Sequence, residues 1–275
     1  MKLSLLLITI LVLSVTALRA HDGIHEQIIA VTAEIKKSPR DAALYLKRAE
    51  LYRLHREWRN SERDLNAAAR LDPTLRIVDL RRGKLLFDKG EFKRARMYLE
   101  RFSAVEPEAF EGVLALGRTL AKLGDAAGAA RWFKKAIEVS PSDSAEIYVE
   151  RAEVLANSGS FVEALDGLDE GIAKLGSLVT LETPAIGLEV KLNRFENAIK
   201  RIDRIAKGMP RKEPFLLLKG ETLIKAGRNC EARTELLDAR RGYESRSTFQ
   251  RNVRAVRNEI ARVEAGLRAT ESCPE

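Results

Sequence analysis

Histidine and cysteine are scarce in this sequence, so the few that occur can be weighed one at a time. His21 and His25 stand four residues apart with Asp22 and Glu26 beside them, a spacing that puts two imidazoles on one helical face and suits Cu(II), Ni(II) or Zn(II). Two histidines are too few for a closed site, Gly23 interrupts the segment, and Asp22 has the character of a helix N-cap. The pair therefore reads first as a solvated leader and second as a metal-handling site, and no cofactor is implied. His55 has no serine or cysteine motif for company. Cys230 and Cys273 are an even pair, available for a disulfide in an oxidising compartment. Carboxylates are abundant but scattered at helix-surface spacings, and neither a glycine-rich phosphate loop nor a nucleophile elbow occurs. Enzyme chemistry is not expected.

The composition is that of a chain that folds. Its 275 residues are 45% hydrophobic and 32% charged, with 48 Lys and Arg against 40 Asp and Glu for a formal net charge of +8, which excludes collagenous and low-complexity classes. Aromatics are only 6%, so no stacking platform accompanies the basic residues and a nucleic-acid partner is not expected. Residues 1–20 stand apart: Lys2, then the apolar run Leu3 to Val15, then small residues at Ala17 and Ala20. This is the pattern of a secretory signal peptide, cleaved after Ala17 or Ala20. The apolar run is shorter than the ~20 residues that span a bilayer, so no membrane span is expected to remain after cleavage. The expected location is the periplasm of a Gram-negative bacterium or the cell exterior. Loss of Lys2 and Arg19 would lower the formal charge by two, from +8 to +6.

What must position any site is a repeat. Pro39, Pro73, Pro107 and Pro141 recur at one constant interval, and Gly176 and Pro210 continue the phase after a slip of one. Gly90, Gly124, Gly159, Asn193 and Gly227 run in register, and these residue types tolerate the left-handed conformation that ends a helix. Five residues after each comes Ala95, Ala129, Ala164, Ala198 or Ala232, small enough for close helix approach, and Trp58, Phe92, Phe161 and Phe195 plug the junctions. The stretch LGRTLAKLGDAAGAARWFKKAIEVSP, Leu116 to Pro141, resembles the tetratricopeptide repeat, with Leu116, Gly117, Leu120, Gly124, Ala129, Phe133, Ala136 and Pro141 at its characteristic positions. That family repeats a helix-turn-helix unit about every 34 residues, the interval of the prolines.

The resemblance implies an all-α, right-handed superhelical solenoid of about six helix-turn-helix repeats, with capping helices at both ends. Repeats would start near Ala42, Arg76, Phe110, Ala145, Val179 and Glu213, giving an array over 42–246 after a leader and cap over 21–41 and before a cap and tail over 247–275. In the fifth repeat Pro184 and Gly187 fall inside the first helix, so either Thr183 caps a shortened helix or the helix is kinked, and the repeat is degenerate or a joint. Ile28, Val31 and Ile35 would shield the N-terminal end. Phe249, Val253, Val256, Ile260 and Val263 form a heptad-like stripe for the C-terminal cap, whose other face carries Arg251, Arg254, Arg257 and Arg262. Cys230 would begin the second helix of repeat six, where an antiparallel cap would bring Cys273 back to it.

Members of this family line a concave groove with the first helix of each repeat. Carried onto this chain, those positions are Lys47, Arg53, Arg81, Lys84, Arg118 and Lys122, with Leu46, Leu80 and Leu114 as an apolar floor. In repeat four the same positions become Glu146, Glu150 and Glu153. The Asn and Lys set that clamps a C-terminal carboxylate in some chaperone-binding members is absent, since Glu50, Lys84 and Arg118 stand where its asparagines would fall. The expected function is a non-enzymatic interaction module or assembly scaffold for another protein, acidic in part. The alternatives are metal handling by His21 and His25, or binding of anionic envelope polymers by the Arg-rich C-terminal cap.

Overall fold

The computed structural model describes residues 23–273, and every regular element among them is a helix. The leader over residues 1–20 and His21 lie outside the described residues. The first helix, α1, covers residues 23–37. Twelve helices follow as consecutive pairs: α2 (Ala42–Leu54) with α3 (Trp58–Leu71), α4 (Ile77–Asp88) with α5 (Phe92–Val105), α6 (Phe110–Lys122) with α7 (Ala126–Val139), α8 (Ala145–Asn157) with α9 (Phe161–Leu175), α10 (Val179–Lys191) with α11 (Phe195–Lys207), and α12 (Glu213–Lys225) with α13 (Asn229–Glu244). A short α14 (Thr248–Arg251) and a longer α15 (Arg254–Ala269) close the series. The chain divides into two compact units, one ending at Trp132 and the other beginning at Phe133.

The turn inside each pair is set by one residue with positive φ. Gly90, Gly124, Gly159, Asn193 and Gly227 have φ of 77°, 80°, 87°, 57° and 75°, and in the first pair Arg56 takes that place at 61°. Hydrogen bonds characteristic of a helix end in this conformation accompany it: the Gly90 amide donates to the Phe87 carbonyl at 2.9 Å and the Glu91 amide to Leu86 at 2.8 Å. A Cβ costs roughly 1 to 2 kcal/mol in this region, which is why glycine and asparagine dominate the series.

In the first unit, α1 lays Ile28, Val31 and Ile35 against Leu51, with Leu44, Tyr45 and Tyr52 around them. Between α4 and α5 the helices approach so closely that a Cβ on Gly83 would stand 2.5 Å from Leu99. Arg48 on α2 crosses to Asp64 on α3 with two bonds, 2.6 and 2.8 Å, and adds a third to the Thr32 hydroxyl at 3.0 Å. Asp64 is buried, and a buried carboxylate is tolerated only with such a partner.

In the second unit, Leu236 of α13 is wedged between glycines on two neighbours: a Cβ on Gly220 or on Gly266 would lie 2.7 Å from it. Val263 and Leu267 join Leu236 and Tyr243 in this core, flanked by Val256 and Ile260. The C-terminal stripe read from the sequence is corrected at its beginning, for Phe249 and Val253 are 84% and 48% exposed. Ser247 and Gln250 form a capping box that starts the separate helix α14, and Val253 then caps α15 in extended conformation. The break rotates the first two stripe positions away from the core.

Helix α10 runs through Pro184, capped at Leu178 and not at Thr183, so the shortened helix capped by Thr183 is not what forms. Pro184 leaves the Thr180 carbonyl without its helical donor, but Thr180 is exposed and water can serve.

Candidate functional site

A cleft of about 290 Å³ lies in the first unit between α4 and α6, the first helices of the second and third pairs. Lys84, Phe87 and Asp88 face it from α4, at the spacing that places residues on one side of a helix. Phe110, Glu111, Leu114, Ala115 and Arg118 face it from α6, and Arg53 of α2 completes one edge. The floor is thus aromatic and aliphatic, framed by three cations and two carboxylates.

The charges are already engaged with one another. Arg53 holds Glu50 with two bonds at 2.8 and 2.9 Å and also pairs with Asp88. Lys84 pairs with Glu111, and Arg81 lies 3.4 Å from both Glu50 and Glu111. Burial pushes the Glu50 carboxyl up, but the hydrogen bonds of Arg53 and the charges of Arg81 and Lys84 outweigh it and hold the group below its ordinary range. Arg53 has the complementary shift: burial lowers it, and Glu50 and Asp88 together raise it above its ordinary value. Lys47 does not line the cleft and is 3.6 Å from Glu34 of α1.

Of the groove residues read from the sequence, Arg53, Lys84, Leu114 and Arg118 line the cleft, Arg81 joins their ion pairs, and Lys122 is exposed at the end of α6. Leu80 is a correction: it is 1% exposed and belongs to the core rather than to a groove floor. Leu46 packs on Ala49, Leu65 and Leu85. Glu146, Glu150 and Glu153 stand on α8 of the second unit. The lining residues that sequence reasoning passed over are Phe87, Asp88, Phe110, Glu111 and Ala115. Phe87 could have been found, since one repeat later it occupies the register position of Arg53.

Elsewhere, Cys230 and Cys273 are joined by a disulfide with Cα atoms 5.1 Å apart, fastening the segment after α15 to the start of α13. His25 is exposed on α1, and among the described residues no three His, Cys, Asp or Glu are grouped to hold a metal ion. No described helix is long and apolar enough to cross a membrane.

Residues 80–144 match the family model of the tetratricopeptide repeat. No curated protein sequence matches the chain. Among solved structures, the chain is similar to YrrB, described as a tetratricopeptide-repeat protein with an unusual peptide-binding site, at 22% identity and a TM-score of 0.53 over 63% of this chain and 89% of that one. It is also similar to a tetratricopeptide-repeat protein from Parabacteroides merdae, at 16% identity and a TM-score of 0.52 over 88% of this chain and 92% of that one. Such proteins are generally non-enzymatic scaffolds for protein-protein interaction. With paired helices turning on one left-handed residue per repeat, and the family model matched across the second and third pairs, residues 80–144 carry tetratricopeptide repeats and the described chain has the all-α fold of tetratricopeptide-repeat proteins.

Proposed function

We propose that this chain is a non-enzymatic, exported scaffold that receives a segment of another protein in the cleft between α4 and α6. The observation that carries the reading is the composition of that cleft: Phe87, Phe110 and Leu114 offer apolar area beside Arg53, Lys84 and Arg118. A partner segment would seat an apolar side chain on the floor and place carboxylates against Lys84 and Arg118, in exchange for Glu111. That exchange costs little, because Glu111 is 48% exposed and exposed ion pairs contribute about 0 to 1 kcal/mol. Location in an oxidising compartment is supported by the leader pattern and by the pairing of both cysteines.

The test is a photo-crosslinker placed at Ala115 in the full chain, expressed in its native envelope. A protein captured there, and lost when Leu114→Asp is added, supports the cleft. Capture of that protein by a crosslinker at Met97, which is 64% exposed on α5, with none at Ala115, would place the interface on the opposite helices and sink the proposal.

A further inference from the structure

From the C-terminal corner of the second unit we infer a separate surface that adsorbs to anionic phospholipid, independent of the cleft. Ser245 to Asn258 contains four arginines and no Asp or Glu. Arg246 is committed to Glu213, with bonds of 2.9 and 3.0 Å. Arg254 and Arg257 are exposed at the start of α15, one helical turn apart and with no acidic partner among the described residues. The same segment carries Phe249, at 84% exposure the most exposed large apolar side chain among the described residues, and Val253 at 48%. Eight of the ten positions 249–258 are exposed.

The corner is held in shape, so its exposure is not that of a frayed tail. The Ser247 hydroxyl accepts from the Gln250 amide and the Gln250 side chain accepts from the Ser247 amide, both at 3.3 Å. Close by, Tyr243 is buried and bonded to Glu259 at 3.0 Å. A capped turn therefore presents an exposed aromatic side chain in the same short segment as the exposed Arg254 and Arg257. Water disfavours that aromatic surface, and a phospholipid interface takes both parts: the ring enters the headgroup region while the guanidinium groups meet phosphates. A carbohydrate polymer would answer the charges but give Phe249 and Val253 no apolar medium, which is why lipid is favoured.

The experiment is cosedimentation of the chain, purified as its native host processes it, with vesicles of phosphatidylcholine alone or mixed with phosphatidylglycerol. Binding is expected on the mixed vesicles and not on phosphatidylcholine alone. An arginine near an anionic surface contributes about fivefold in affinity, so Arg254→Ala with Arg257→Ala should weaken binding about 25-fold. Phe249→Ser should remove whatever binding persists at high salt. All three positions are exposed, so unchanged circular dichroism and thermal unfolding identify folded variants. Absence of binding to phosphatidylglycerol vesicles, or binding indifferent to all three substitutions, overturns the inference. Self-association abolished by Phe249→Ser without vesicle binding would assign the corner to a second copy of the chain instead. Binding to an anionic polysaccharide as tightly as to vesicles, unaffected by Phe249→Ser, would overturn it in favour of a polymer.

Discussion

Replacing Arg201 by methionine should expose how the second unit tolerates two buried carboxylates. Glu182 is fully buried and Glu189 is 3% exposed, both on α10. Arg201, on α11, reaches Asp169 at 2.6 and 2.8 Å, Glu182 at 3.2 Å and Glu189 at 3.4 Å. The three carboxylates do not depend on it equally. Asp169 is 46% exposed and can turn to water, while Glu182 keeps Arg204 at 2.8 Å and the Ser177 hydroxyl at 2.5 Å. Glu189 keeps nothing among the described residues, because its Oε2 has no partner and its Oε1 bonds only to Arg201. The loss is thus that of one buried, uncompensated carboxylate, about 3 to 5 kcal/mol at pH 7.

The pH dependence supplies the sign. In the native protein, burial pushes the Glu182 carboxyl up, but Ser177, Arg204 and Arg201 together bring it below its ordinary 4.5. Such a group contributes stability above its unfolded value, and that contribution is lost as pH falls through the lower folded value. Without Arg201 the buried Glu189 carboxylate has no partner among the described residues, so replacing it by an uncharged isostere should relieve the deficit. Urea unfolding followed by circular dichroism at pH 7 measures the loss, and Arg201→Met with Glu189→Gln should recover most of it. A deficit under about 1 kcal/mol, or one that Glu189→Gln does not relieve, would refute the reasoning.

Three further outcomes are expected. Reducing the Cys230–Cys273 bond, which closes 43 residues of chain, should cost about 4 kcal/mol by the chain-entropy relation, read as faster amide exchange and a lower melting temperature; an unchanged melting temperature contradicts it. Arg56→Gly should stabilise by roughly 1 kcal/mol by removing a Cβ from φ 61°, whereas Gly124→Ala at φ 80° should destabilise by a similar amount, both measured by urea midpoint. Glu111→Gln should tighten an acidic segment at Lys84 and Arg118, since it removes the competing carboxylate; weaker capture in the crosslinking assay would argue that Glu111 contacts the partner directly.

The constant period made the helical pairs and their left-handed turns legible, because each depends on residue types that few alternatives can replace. Arg56 escaped notice for the same reason: arginine carries no signal of positive φ, although register alone aligns it with Gly90 of the next repeat. The C-terminal stripe failed where two local rules competed. Heptad spacing from Phe249 to Val263 argued for one helix, while Ser247 and Gln250 at capping-box spacing argued for a new start, and the capping box prevailed. The charge of the groove was the hardest to read, because periodicity says which residues share a face but not which carboxylates from neighbouring repeats reach them. Arg53 finds Asp88 across 35 residues, Lys84 finds Glu111 across 27, and Arg201 finds Asp169 across 32. Each of these pairs ties one repeat to the next, and in a repeat protein the nearest-neighbour interface is where much of the stability resides. A trough that counts as basic along one helix face is therefore close to neutral once the adjoining repeat is present. Selectivity in the cleft then rests on displacing Glu111 and filling the Phe87, Phe110 and Leu114 floor together, which an acidic segment lacking an apolar side chain cannot do.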